Sequence, residues 1–234
     1  MENFSTTPGT SETVGGGEVA KRNLFERLMG LLVEPGTTFA AIIARPDLIG
    51  PVLLIVLTSL FSIPIFQFAT AHLPAEVAEK VSPTTMLVSQ AVGTLVTSLI
   101  VLFIRALVFY LLGLFTGGGA SYKQALSVAG YLNFTACLQM LFTGAALLLT
   151  GQYINLGLGF SMSYEQISTP NGVLMSNLNL FVLGYLVLST IGLGRLLKTS
   201  MARAAIFTVI LWLIVLALNV GMTSIGARLA GGAA

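Results

Sequence analysis

The sequence is short of charge, of cysteine and histidine, and of any spaced set of acids. Only 9% of its 234 residues are Asp, Glu, Lys or Arg, against about one quarter in an ordinary soluble domain. A chain so poor in charge cannot cover its surface against water, so its solvent must be apolar. The single cysteine, Cys137, lies in an apolar run. One thiol excludes an internal disulfide and a thiolate metal cluster, and a small buried apolar residue is expected there. The single histidine, His72, has only Glu76 near it, too few ligands for a metal. Gly-x-Ser-x-Gly, His-Glu-x-x-His and paired carboxylates inside apolar runs are all missing. Gly117-Gly118-Gly119 is not followed by Gly-Lys-Ser/Thr, so it reads as a turn and not as a phosphate cradle. No catalytic residue, cofactor or metal is therefore expected, and the chain is read as non-enzymatic. A net charge of +2 is too small to argue for nucleic acid. Residues 1–20 have no apolar core or early basic cluster of a signal peptide, and no lipidation signal is seen. Membrane attachment is expected to come from the body of the chain.

What is present is hydrocarbon. Hydrophobic residues make up 55% of the chain, and the mean hydropathy is +0.91. Crossing a hydrocarbon core about 30 Å thick takes roughly 20 apolar residues. Five stretches qualify: Ile49 to Ala71, Thr85 to Phe115, Ala125 to Thr150, Val173 to Leu193 and Ala204 to Ile225. Lipid offers the backbone no hydrogen-bond partner, so these are expected as helices. Pro64 should kink the first. The second is long enough to tilt or to project from the bilayer. The fold class expected is an all-α polytopic membrane protein of about five transmembrane helices, preceded by a short amphipathic interfacial helix.

That helix is read over Ala20 to Val33. Leu24, Leu28, Leu31 and Leu32 recur at helical spacing, and Lys21, Arg22, Glu26 and Arg27 fill the other positions. The pattern suits a helix in the headgroup region, with Lys21, Arg22 and Arg27 as its basic residues; a short helix packed on the rest of the protein needs the same pattern. A second short helix is expected over Thr37 to Ala44. The domain plan is thus a disordered tail over 1–19, an amphipathic segment over 20–45, a five-helix transmembrane domain over 46–228 and a tail over 229–234.

The connections set an expected orientation. Lys21, Arg22, Arg27, Arg45, Lys123, Arg195, Lys198 and Arg203 fall on one side, and only Lys80 and Arg228 on the other. By the positive-inside rule this places the N-terminus in the cytoplasm and the C-terminus outside. A bacterial inner membrane is the expected location.

Arg105 is the most informative polar residue, because it lies within the second expected span, about ten residues from its basic end. A central arginine costs about 2.5 kcal/mol or more on insertion scales. Asn133 of the third span and Tyr185 of the fourth fall at similar depths, and Arg105 is read either as hydrogen-bonding Asn133 beside Tyr185 or as snorkelling to the headgroups. Gln90, Gln139, Asn177, Asn179 and Asn219 are read either as lining a path or, as such residues more often do, as bridges between helices.

Three stretches carry a family resemblance: Glu34-Pro35-Gly36-Thr37-Thr38-Phe39 with Ile42, Ile43 and Arg45-Pro46; Gly119-Ala120-Ser121-Tyr122-Lys123-Gln124-Ala125-Leu126 with Gly130-Tyr131; and Asn177-Leu178-Asn179-Leu180-Phe181 with Leu188 and Ile191-Gly192-Leu193. In this order they resemble the prokaryotic branch of the Yip1-domain membrane proteins, over about Asn23 to Ile225. Eukaryotic members associate with Rab-type small GTPases and carry a longer cytoplasmic domain; here the segment before the first span is short, and that role does not carry over. The resemblance brings no catalytic residues. The expectation is a membrane scaffold or interaction protein whose partners are the lipid bilayer, anionic headgroups, and further copies or other membrane proteins. The alternative is a small-solute transporter or channel subunit using a polar layer at Arg105 and Asn133.

Overall fold

The structure is a computed structural model, and it describes residues 23–72, 82–167 and 169–231. The tail over 1–19, Lys21, Arg22 and most of the Leu73 to Thr84 connection lie outside the described residues. The chain is an all-α polytopic membrane protein, and no strand forms among the described residues. The helices are α1 (Leu24–Val33), α2 (Pro35–Ala44), α3 (Ile49–Phe61), α4 (Ile63–Ala71), α5 (Pro83–Thr116), α6 (Tyr122–Tyr131), α7 (Asn133–Thr150), α8 (Tyr164–Ile167), α9 (Pro170–Ser176), α10 (Leu180–Leu196) and α11 (Met201–Gly231).

Four helical stretches among the described residues are long and apolar enough to cross a bilayer: Ile49–Ala71, Pro83–Thr116, Tyr122–Thr150 and Met201–Gly226. The first is interrupted at Ser62. Pro64 cannot donate to the carbonyl of Leu60 and its ring crowds that turn, so the helix restarts with the proline in the first turn of α4. The fourth expected span differs from a continuous Val173 to Leu193 helix. The chain forms α9, leaves helical geometry, and begins α10 afresh with Asn179 as an extended N-cap whose Oδ1 accepts from Val182 N at 2.8 Å. Asn177 turns back onto the carbonyl of Val173 at 2.8 Å. Neither asparagine bridges helices in mid-span; both shape the break. Helix α10, 17 residues long and apolar, covers about 26 Å.

The buried core is concentrated at one end. Helix α2 lies between α1, α6 and α10, with Phe39 and Ile42 fully buried. Around them gather Leu31, Ala106, Phe109, Val128, Tyr131, Leu193 and Leu197. The exposed basic residues Arg45, Lys123, Arg195, Lys198 and Arg203 decorate this end, which is called the basic end below. Away from it the helices are mostly bare: the apolar windows of α5 and α11 are only 17% and 11% buried. Outward rows such as Val88, Val92, Val96 and Ile100 on α5 are exposed, as lipid-facing positions are.

Helix α5, 34 residues long, extends about 51 Å, well beyond a hydrocarbon core of about 30 Å. Its last third packs on α6 in the basic end, where Ala106, Phe109 and Gly113 are buried. Arg105 opens this last third, one residue before buried Ala106.

Candidate functional site: two arginine clusters flanking the helix entry plane

Capping chemistry builds the first cluster. Asn23 and Glu26 form a reciprocal box at the start of α1, which sets the helix phase. That phase turns Arg27 inward, where it is 8% exposed. Arg27 forms an ion pair with Asp47. Its Nη2 donates to the carbonyl of Arg45 at 3.3 Å and its Nη1 to Tyr131 Oη at 3.3 Å. The Tyr131 hydroxyl donates to Asp47 Oδ2 at 3.0 Å, and Gly50 N donates to Asp47 Oδ1 at 3.0 Å. The guanidinium also faces the Tyr131 ring at 5.8 Å. Arg27 was expected among the basic residues of a headgroup helix; it is instead a buried strut. A charge this far out of water persists only where a counter-charge and further hydrogen bonds satisfy it, and Asp47 with Tyr131 does so.

Asp47 was overlooked in reading the sequence. One signal was available: it is the sole aspartate of the chain, placed two residues before the first span.

The glycines make this junction possible. A Cβ on Gly50 would meet Tyr131 Oη at 2.3 Å, and one on Gly130 would meet Pro51 Cβ at 2.3 Å. A Cβ on Gly192 would meet Val128 at 3.1 Å and Phe39 at 3.2 Å. Ser121 and Gln124 cap α6 reciprocally, and Gln124 Nε2 also donates to the carbonyl of Ile43 at 3.0 Å. The three stretches that carry the resemblance thus converge: Phe39 from the first, the α6 helix from the second and Gly192 from the third. What they encode is a packing node.

The outward face of α1 is different in kind. Phe25, Met29, Leu32 and Val33 are exposed, from 41% to 78%, while Leu31 is buried and Leu24 and Leu28 rest on the core. The helix therefore both packs inward and presents an apolar stripe outward.

The second cluster lies between α5, α7, α10 and α11. Arg105 Nη1 donates to Asn133 Oδ1 at 3.2 Å and approaches the carbonyl of Ala129 at 3.5 Å. Its guanidinium faces the Tyr185 ring at 5.3 Å. Asn133 Nδ2 is buried without a partner. The cluster forms one wall of a cavity of about 380 Å³, otherwise mostly apolar, whose lining includes Gln139 and Trp212. Elsewhere, Gln90 lines a separate shallow hollow, and exposed Asn219 bonds its own helix at Val215 O, 3.0 Å away.

No group of three or more His, Cys, Asp or Glu able to hold a metal occurs among the described residues. The arrangement offers two fixed cations, one neutralised by Asp47 and one facing neutral groups beside an apolar hollow.

No solved structure matches the chain. The membrane protein YknW of Bacillus subtilis (strain 168) is 30% identical over 182 residues, covering 72% of this chain and 77% of that protein. The family model for the Yip1 domain matches residues 29–222, a range that takes in Leu31, Asp47, Arg105, Tyr131 and Gly192. The chain belongs to the Yip1-domain family of membrane proteins.

Proposed function

We propose that this chain is a non-enzymatic scaffold of a bacterial plasma membrane, with its N-terminus in the cytoplasm and its C-terminus outside. The observation that carries the reading is the character of the basic end. Its interior is consumed by packing, and its exterior couples the apolar stripe of α1 to exposed Arg45, Lys123, Arg195, Lys198 and Arg203. Such a surface suits attachment to anionic headgroups, at about 1 kcal/mol per basic residue near the membrane, and contact with other membrane proteins. Charge reversal of Lys123, Lys198 and Arg203 together, with Arg27 left alone because it is a strut, is expected to abolish cross-linking to membrane partners in cells while leaving insertion intact. Unchanged cross-linking overturns the scaffold reading. A C-terminal tag accessible to protease from outside intact spheroplasts is the outcome expected of the orientation.

A second reading, small-solute transport, is favoured by the cavity beside Arg105. Flux through reconstituted protein that is lost in Arg105→Ala is what it requires. The mostly apolar lining suits a hydrocarbon chain better than a polar solute.

A further inference from the structure

The cavity between α5, α7, α10 and α11 has a ligand chemistry written into its polar wall. Arg105 is a permanent cation with five donors in a fixed fork. Within the described protein its hydrogen bonds go to neutral acceptors, Asn133 Oδ1 and the carbonyl of Ala129, and no ion pair to a described carboxylate involves it. Accepting from Arg105 also fixes the Asn133 amide: flipping it would set Nδ2 against the guanidinium donors. Nδ2 is thereby held as a donor, buried and unpartnered. A cation beside a vacant N–H donor is half of an oxyanion site.

The remaining wall is hydrocarbon. The cavity is rimmed by Val101 and Ile104 of α5 and by Ile214 and Leu218 of α11, all four exposed on the outside of the bundle. Its mouth therefore opens sideways, toward lipid. A volume of about 380 Å³ falls in the usual range for a ligand pocket, with room for one acyl chain and not for a whole two-chain lipid. Depth agrees with this. Asn133 lies two residues beyond Tyr131, which is bonded to Asp47 at the start of the first span, so it sits about 3 Å farther along the helix. That level is within about one helical turn of the start of the first span, the end at which a membrane helix meets the headgroups.

We propose that this cavity is a binding site for an anionic phospholipid drawn from the surrounding leaflet. Its phosphate is held by the donors of the Arg105 fork that Asn133 and Ala129 leave over, Tyr185 backs the guanidinium, and one acyl chain lies along Ile214 and Leu218. This goes beyond the scaffold reading and does not depend on it.

Trp212 provides the test, because it lines the cavity and is the sole tryptophan of the chain. The full-length protein is reconstituted in phosphatidylcholine vesicles carrying a minor, equal fraction of bromine-labelled phosphatidylglycerol or bromine-labelled phosphatidylcholine. Labelled phosphatidylglycerol is expected to quench Trp212 with a several-fold preference over labelled phosphatidylcholine. The preference should fall to parity in Arg105→Gln and persist in Arg228→Gln, which lies outside the cavity. Ala136→Phe, which keeps Arg105 and fills the cavity from α7, should also bring parity, so a folding failure of the arginine variant does not decide the matter. Equal quenching by both lipids in the unmodified protein overturns the proposal, as does a preference that survives both cavity variants. Excess quenching by a brominated fatty acid in place of phosphatidylglycerol overturns it too. Partner cross-linking is not read here, so failure of the scaffold reading and failure of this site are distinguishable.

Discussion

Arg27 and Asp47 form an ion pair between α1 and the turn that leads into the first membrane helix, with the Tyr131 hydroxyl completing the contact from α6 at 3.0 Å from the carboxylate. Three segments far apart in sequence are clamped at one point. Breaking such a pair by removing one partner leaves a charge out of water, at a cost of about 3 kcal/mol. Asp47→Asn is expected to lower the thermal unfolding midpoint in detergent sharply. Arg27→Met combined with Asp47→Leu should be milder than the sum of the two single changes, because no orphan charge remains. An Asp47→Asn protein as stable as its parent would show that the pair contributes nothing.

Gly130 faces Pro51 with no room for a methyl group. Gly130→Ala is expected to push α3 from α6 and to cost about 1–3 kcal/mol, the usual penalty of overpacking. Gly93, whose added Cβ would meet nothing within 4 Å, is the control. Gly93→Ala should leave the melting midpoint the same or slightly higher, since alanine is the better helix former.

The outward stripe of α1 makes its own prediction. In a Cys137→Ser background, nitroxides at Phe25→Cys and Leu32→Cys should be protected from water-soluble relaxation agents and accessible to oxygen, as for a helix lying in the interface. A nitroxide at Glu26→Cys, on the polar side, should show the reverse. Full water exposure at Phe25 and Leu32 would refute the placement of α1 at the membrane surface.

Asn179 holds the start of α10 through its bond to Val182 N. Asn179→Ala removes the cap and is expected to cost about 1 kcal/mol. Faster hydrogen exchange confined to the first turn of α10 is the signature to look for.

The long apolar helices were legible in the sequence because hydrocarbon sustained over roughly 20 residues or more has one physical solution in lipid. The break before α10 was not legible from apolar content, since Val173 to Leu193 is mostly apolar and the interruption rests on the side chains of Asn177 and Asn179 bonding to nearby backbone. The Arg27 cluster was missed because its partners lie 20 and 104 residues away, and local pattern carries no information at that range. The helical spacing of α1 was read from Leu24, Leu28, Leu31 and Leu32 together, whereas the structure buries Leu31 and exposes Leu32.

The continuity of α5 has a mechanical consequence. The segment that meets lipid and the segment that carries Ala106, Phe109 and Gly113 into the packed layer are one unbroken rod. A thinner bilayer calls for more tilt of a long helix, and this helix cannot lean without shifting Gly113 against Ala120 and Leu197, which its added Cβ would meet at 3.5 and 3.6 Å. Any change in the tilt of α5 is therefore carried along the rod into the basic end.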